Sequence, residues 1–435
     1  MNPHVVTGVK GRRVWDSRGR PTVEVEVDLA GGAVGRAIAP AGASTGSGEA
    51  IDLRDGGDRL GGFDVQTALG NVNGEIRLCI AGMDATDQAG IDQALIELDG
   101  TQNKSRLGGN ATIAASMAVA HARAAAAGVP LWLYLGGEGV CTLPLPEIQI
   151  FGGGAHAGAR IDIQDFMVVM PGATSFDEAL AWTAEVYRVA GKMMDEAGKL
   201  QGVADEGGYW PAFATNEEGL ELLVQAIERA GLVPGEQAAI SLDIAATEFC
   251  HDGRYKLALE ERELDSDGLG ELLVSWVDRY PIVSIEDPMS EDDAVGMRRF
   301  TEAVGHRVQI VGDDFVVTNA DRIRAAANEG ACNTALIKPN QAGTLSETHA
   351  ALTAAREAGW GAIVSARSGE TEDVTVAHLA VGWGVAQLKV GSFARAERMA
   401  KWNEVLRIEE HLADRARFVG ASPFASLVGA GTKWI

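Results

Sequence analysis

Positive charge, cysteine and long apolar runs are scarce in this chain of 435 residues. Lysine and arginine together number 37 against 61 aspartates and glutamates, a formal charge of −24 at pH 7. Such a field repels phosphate backbones and anionic lipid, which argues against a general nucleic-acid or membrane-surface role. A small anion can still bind, provided local lysines, arginines, backbone N–H groups or a metal hold it. The four cysteines, Cys79, Cys141, Cys250 and Cys332, are far apart and form no C-x-x-C pair. That speaks against a disulfide framework or zinc knuckle and suits a reducing cytoplasm. The first residues lack the apolar core of a secretory signal. The longest weakly polar run, 111–135, is alanine-rich and carries His121 and Arg123, so it reads as a buried helix and not a membrane span. With 46% hydrophobic and 23% charged residues, the composition is that of a globular protein with a large core. The expectation is a cytoplasmic protein.

Length sets a prior of two to three domains at roughly 150 residues each, or two if one is a barrel. Residues 22–29 (TVEVEVDL) alternate apolar with acidic, the mark of a strand with one buried face. Gly31 and Gly32 then turn the chain into a second strand at 34–39, and helical segments follow at about 64–80, 89–98 and 108–127. Strands followed by helices indicate an α+β domain over 1–140. From about 143 the pattern becomes alternating strand and helix. Six short apolar runs end in Asp243, Glu286, Asp313, Lys338, Arg367 and Lys389, spaced 22 to 43 residues apart. That rhythm predicts consecutive βα units in a parallel barrel over 141–435, with the chemistry at the C-terminal strand ends.

Three hard carboxylates on successive strands, Asp243, Glu286 and Asp313, with no histidine or thiolate beside them, suit Mg²⁺ and disfavour zinc. Without a cation they would repel one another. The adjacent Asp287 and Asp314 are read as supporting or structural acids. A lysine beside the metal and a second lysine has its ammonium form disfavoured, which would bring Lys338 towards general-base range. Arg367, Ser368 and the N–H of Gly369 read as a phosphate or carboxylate clamp. The small-residue run 41–46 (AGASTG) reads as a lid, and 152–158 (GGGAHAG) as a second mobile loop carrying His156. Asp205 and Glu206 offer an acid beside a flexible turn. Together these groups indicate proton abstraction next to a carboxylate through an aci-carboxylate, then loss or addition of a β-group.

The stretches DSRGRPTVEVEV, GASTG, QDFM, ADEGG, YPIVSIEDP, QIVGDDFVVTN, ACNTALIKPNQAGT, SGETED and RIEEHL, in this order, resemble enolase (phosphopyruvate hydratase) over essentially the whole chain. The resemblance implies an α+β capping domain, an enolase-type (β/α)8 barrel and a homodimer or larger oligomer. It also implies one tightly held Mg²⁺ on Asp243, Glu286 and Asp313, with a second arriving with substrate through Ser44. Lys338 matches the base that takes the C2 proton, and Glu206 the acid that helps the C3 hydroxide leave. Lys389 matches the lysine on the substrate carboxylate, Arg367 and Ser368 the phosphate holders, and Gln164, Asp165 and His156 further active-site positions.

The departures gather in that site. Enolases read S-H-R-S-G-E-T-E-D where this chain has Ala366 in place of the histidine. The Q-E-F-M glutamate is Asp165, shorter by about 1.5 Å of reach. The lid begins with Ala41 where a serine is usual, the N-G-G-S-H loop has Gly152 and Ala155, Tyr209-Trp210-Pro211 replaces Phe-Ala-Pro, and Pro339 follows Lys338. Losing a histidine at one hydrogen-bond site costs a few kcal/mol of transition-state stabilisation. An enolase-like branch that fits this altered pocket is carboxyphosphonoenolpyruvate synthase, which joins a nucleotide-activated phosphonoformate to an enolpyruvate unit. The leading expectation is therefore a specialised Mg²⁺ enzyme of phosphonate biosynthesis, a lyase or transferase acting on a phospho- or phosphono-carboxylate. Glycolytic dehydration of 2-phosphoglycerate is the alternative, and a silent enolase-shaped binding protein is the reading from another class.

Overall fold

A computed structural model describes residues 2–427. The chain opens with an antiparallel sheet of β1 (Val6–Trp15), β2 (Pro21–Leu29) and β3 (Val34–Ile38). The alternation in β2 buries Val23, Val25 and Val27 completely. β1 has no comparable alternation and was not expected. Between sheet and barrel, the segment expected as one helix at 64–80 is helical over Gln66–Asn71 and Arg77–Ile80, with a π turn, Val72–Ile76, between them.

The alanine-rich run forms α1 (Gly109–Ala127), buried along most of its length against β2 and β3. Its small side chains let backbone approach backbone: a Cβ on Gly35 of β3 would lie 2.0 Å from the Ala122 nitrogen. Gly35 is required by that contact. Among the described residues no helix is long and apolar enough to cross a membrane.

Eight strands then close into a barrel: β4 (Leu145–Gly152), β5 (Asp165–Val169), β6 (Ala239–Asp243), β7 (Ile282–Glu286), β8 (Gln309–Gly312), β9 (Thr334–Ile337), β10 (Gly361–Ser365) and β11 (Gln387–Ser392), with β11 pairing back onto β4. Amphipathic helices on the outside cover the central strands, as a barrel buried on both sides requires. The architecture is the expected α/β one, with a departure. β5 runs antiparallel to both β4 and β6, so the barrel is not wholly parallel. The β4–β5 connection, residues 153–164, holds only a 3-10 turn at Gly154–Ala157 and no crossover helix of the kind that joins parallel strands. The reversal has a functional consequence: Asp165, at the start of its strand, pairs with Asp243, at the end of its own. A residue from the N-terminal end of one strand thereby reaches the rim where the others end.

Candidate active site

At that rim Asp243 and Glu286 are the last residues of β6 and β7, while Asp313 and Lys338 directly follow β8 and β9. Arg367 lies two residues past β10. Lys389, expected at a strand end, is instead the third residue of β11, so its long side chain rises from lower in the barrel. All six are buried.

Lys389 Nζ donates to Asp243 Oδ2 at 2.9 Å and Glu286 Oε2 at 2.7 Å, and lies 3.5 Å from Asp165 Oδ2. Gln164 Nε2 donates to the same Asp243 oxygen at 3.0 Å. Lys338 Nζ donates to Asp313 Oδ2, and Gln341 Nε2 to Asp313 Oδ1 at 2.8 Å. Burial and repulsion from Asp243 push the Glu286 carboxyl well above its ordinary range. For Lys389, burial would lower the ammonium pKa, but Asp243 and Glu286 overcome it and raise the group well above its usual value. Lys338 goes the same way: burial lowers it, and contact with Asp313 outweighs both burial and the neighbouring cations. The lowering expected for Lys338 concerns a lysine beside a bound cation, where the charge of Asp313 would be neutralised.

The residues fit a hard divalent cation. Buried Glu286 Oε1, Asp165 Oδ2 and Gln164 Oε1 have no hydrogen-bond partner, so oxygen donors stand uncompensated at the rim. Among the described residues two clusters place their ligand atoms within 4.8 Å of one another: Asp287, Asp313 and Asp314, and His156, Asp165 and Glu206; of the expected ligands only Asp313 belongs to either. In the first, Asp287 has a positive φ of 40° and accepts from the Asp313 and Asp314 N–H groups at 3.0 and 2.8 Å. It caps the turn that presents Asp313, in keeping with a supporting acid.

His156 Nδ1 sits 3.1 Å from Asp165 Oδ1 and His156 Nε2 3.8 Å from Glu206 Oε1. Burial lowers the imidazole, but the two carboxylates dominate and lift it to about 9, so it is cationic at neutral pH. Asp165 pays burial but is held well below the ordinary carboxylate range, chiefly by that imidazolium. Gln149 Nε2 donates to the same Asp165 oxygen.

The lid meets the anion clamp directly. Arg367 donates to Glu49 Oε2 at 2.8 Å, to Glu49 Oε1 at 3.2 Å, to Asn340 Oδ1 at 3.2 Å and to the Ser44 carbonyl at 2.9 Å. The Ser368 hydroxyl accepts from Arg18 at 3.4 Å, and Arg18 also binds the lid carbonyl of Ala41 at 2.9 Å. Ser44, His156, Gln164, Glu206, Asp243, Lys338, Arg367, Ser368 and Lys389 line one small cavity, with Ala366 in its wall. Asp165 and Glu286 lie behind that lining and reach it through Lys389, and Asp313 through Lys338.

Glu49, Gln341, Gln149 and Arg18 were not singled out from the sequence. Gln341 ties Asp313 to the lid by donating also to Glu49 Oε1 at 3.2 Å. Glu49 lies three residues past the run 41–46 and Gln341 three past Lys338, so proximity to assigned residues was the available signal.

A barrel with one reversed strand, capped by an α+β unit and gathering buried acids, lysines and an arginine at its rim, defines a class of capped barrel enzyme. Residues 6–135 match the N-terminal domain of enolase, and residues 140–427 match the enolase C-terminal TIM barrel domain. The chain belongs to the enolase family. It is an enzyme of that superfamily, whose members are in general Mg²⁺-dependent.

Proposed function

We propose that the chain takes the α-proton from a small phospho- or phosphono-carboxylate and forms or uses an enolpyruvate unit through an aci-carboxylate. The observation that carries this reading is one small cavity lined together by Lys338, Lys389, Glu206 and His156. Asp243, Glu286 and Asp313 would hold Mg²⁺, and Ser44 a second ion entering with substrate. When bound, the metal neutralises the substrate carboxylate and favours its doubly charged form. Lys338 accepts the proton at Nζ. It can do so once Asp313, whose negative charge now keeps it protonated, is neutralised. Lys389 Nζ pairs with the substrate carboxylate. Glu206, beside the His156 imidazolium, gives a proton to the departing β-group or guides an incoming one. Arg367 and Ser368 hold the phosphorus oxygens, and the lid run 41–46 excludes water over them.

The specialised reading, a carboxyphosphonoenolpyruvate synthase-like step with a nucleotide-activated phosphonoformate as second substrate, is favoured by Ala366, which puts a methyl group in the cavity wall. Glycolytic dehydration of 2-phosphoglycerate is the second reading, favoured by the presence of both lysines and Glu206 in the cavity. In either case the chain would work as a homodimer or larger assembly in the cytoplasm. Turnover of 2-phosphoglycerate by the purified Mg²⁺-loaded enzyme decides between them: ordinary enolase turnover sinks the specialised reading, and slow turnover supports it.

A further inference from the structure

Glu147 lies on β4 with its side chain turned into the barrel, 1% exposed. Its register partner on β11 is Lys389. Paired residues on neighbouring parallel strands share a face about 4.8 Å apart, so the two side chains rise side by side inside the barrel. Both Glu147 oxygens are acceptors: Gln387 Nε2 donates to Oε1 at 2.5 Å and Ser241 Oγ to Oε2 at 3.3 Å. The Gln387 amide is itself matched to Gln309 by two further bonds, 2.7 and 3.0 Å, which turns its NH₂ towards Glu147. The pattern is that of a carboxylate. Among the described residues it has no cation within 4.0 Å, although Lys389 is the leading charge opposing its burial, with Asp243 acting the other way.

A buried carboxylate without a cation is costly, and packing alone does not call for one here. Lys389 directs its donors upward instead, to Asp243 and Glu286. A divalent cation taken up by those acids would repel the ammonium, which then needs another carboxylate. Asp165 Oδ1 is matched by the His156 imidazolium and Gln149, while its Oδ2, 3.5 Å from Lys389 Nζ, is one such acid. Glu147, the register partner of Lys389 and without a cation of its own among the described residues, is the other. We infer that Glu147 is a positioning residue for Lys389, the counter-charge that receives the ammonium and frees Asp243 and Glu286 for metal. This rests on the proposed metal site at those acids.

Calorimetric Mg²⁺ titration at pH 8 tests it, since burial lifts the Glu147 carboxyl to about 7 and at pH 8 it is mostly ionised. Glu147→Gln keeps shape and hydrogen bonding while removing the charge. It should weaken Mg²⁺ binding about tenfold, the size of one coupling between neighbouring charged groups. Glu147→Asp should fall between it and the parent, and it keeps the test open if the Gln variant melts at much lower temperature. In a Lys389→Met background the Glu147→Gln effect should shrink to less than about twofold, because the group it positions is gone. A loss that persists undiminished in that background, or no loss in Glu147→Gln, overturns the role. If the parent protein itself takes up no Mg²⁺, the metal-site reading fails and the role with it. Binding in the parent with unchanged affinity in Glu147→Gln defeats the role alone.

Discussion

Asp243, Glu286, Asp313, Lys338 and Lys389 crowd opposite charges together at the barrel rim. Ala366, in the cavity wall, carries none, although its N–H donates to the Lys389 carbonyl at 2.9 Å. Removing a member of the first group strands a buried charge, at a cost to stability or to the site. Ala366 can be exchanged without orphaning an ion. Substrate preference in this chain is therefore expected to change at the wall where Ala366 stands and not at the acids and lysines.

The first way to break the comparison is Lys338→Ala. Loss of a general base costs about 10²–10⁴-fold, so exchange of the α-proton of 2-phosphoglycerate in heavy water should stop, read by NMR. Mg²⁺ binding should not weaken, since the variant also removes a cation from Asp313. Persistent exchange removes Lys338 from the role. Glu286→Gln comes next. Deleting one charged donor should weaken Mg²⁺ binding by about 100-fold, at the upper edge of what outer partners alone contribute. An unchanged calorimetric affinity would move the metal elsewhere.

Restoring the family residues at Ala366 and at Asp165, which touches Lys389 and His156, is expected to yield gains instead of losses. Ala366→His combined with Asp165→Glu should raise dehydration of 2-phosphoglycerate about tenfold, part of what a hydrogen-bonding group at a developing charge supplies. No gain would mean that this wall does not set the substrate.

The smallest effect is a pH dependence. His156 is raised to about 9 by Glu206 and Asp165, which overcome its burial. A group raised above its unfolded value of about 6.5 stabilises the fold fully below that pH, and the contribution is lost as pH rises through the folded value. The difference in urea midpoint between the parent and His156→Gln should therefore be largest near pH 6 and shrink towards pH 9.5. A difference that grows with pH contradicts the imidazolium.

Much of this was readable in the sequence because strand ends leave a local mark: an apolar run, then one charged residue. Asp243, Glu286, Asp313 and Lys338 all stand where that mark put them. Lys389 did not, because a side chain long enough to reach the rim from within β11 looks the same in sequence as one at the strand end. The reversal of β5 was hidden for a related reason. Hydrophobic periodicity carries no direction, and only the β4–β5 connection, without a crossover helix, hinted at an antiparallel pair. Glu49 and Gln341 act across the boundary between lid and barrel, a contact that exists only once both have folded.

The most direct test follows 2-phosphoglycerate with Mg²⁺ in heavy water, reading α-deuterium incorporation and phosphoenolpyruvate formation in one sample. An intact acid–lysine group with an altered wall at Ala366 should give exchange that clearly outpaces elimination, both lost in Lys338→Ala. Elimination at ordinary enolase turnover without excess exchange, or no exchange at all, would contradict it.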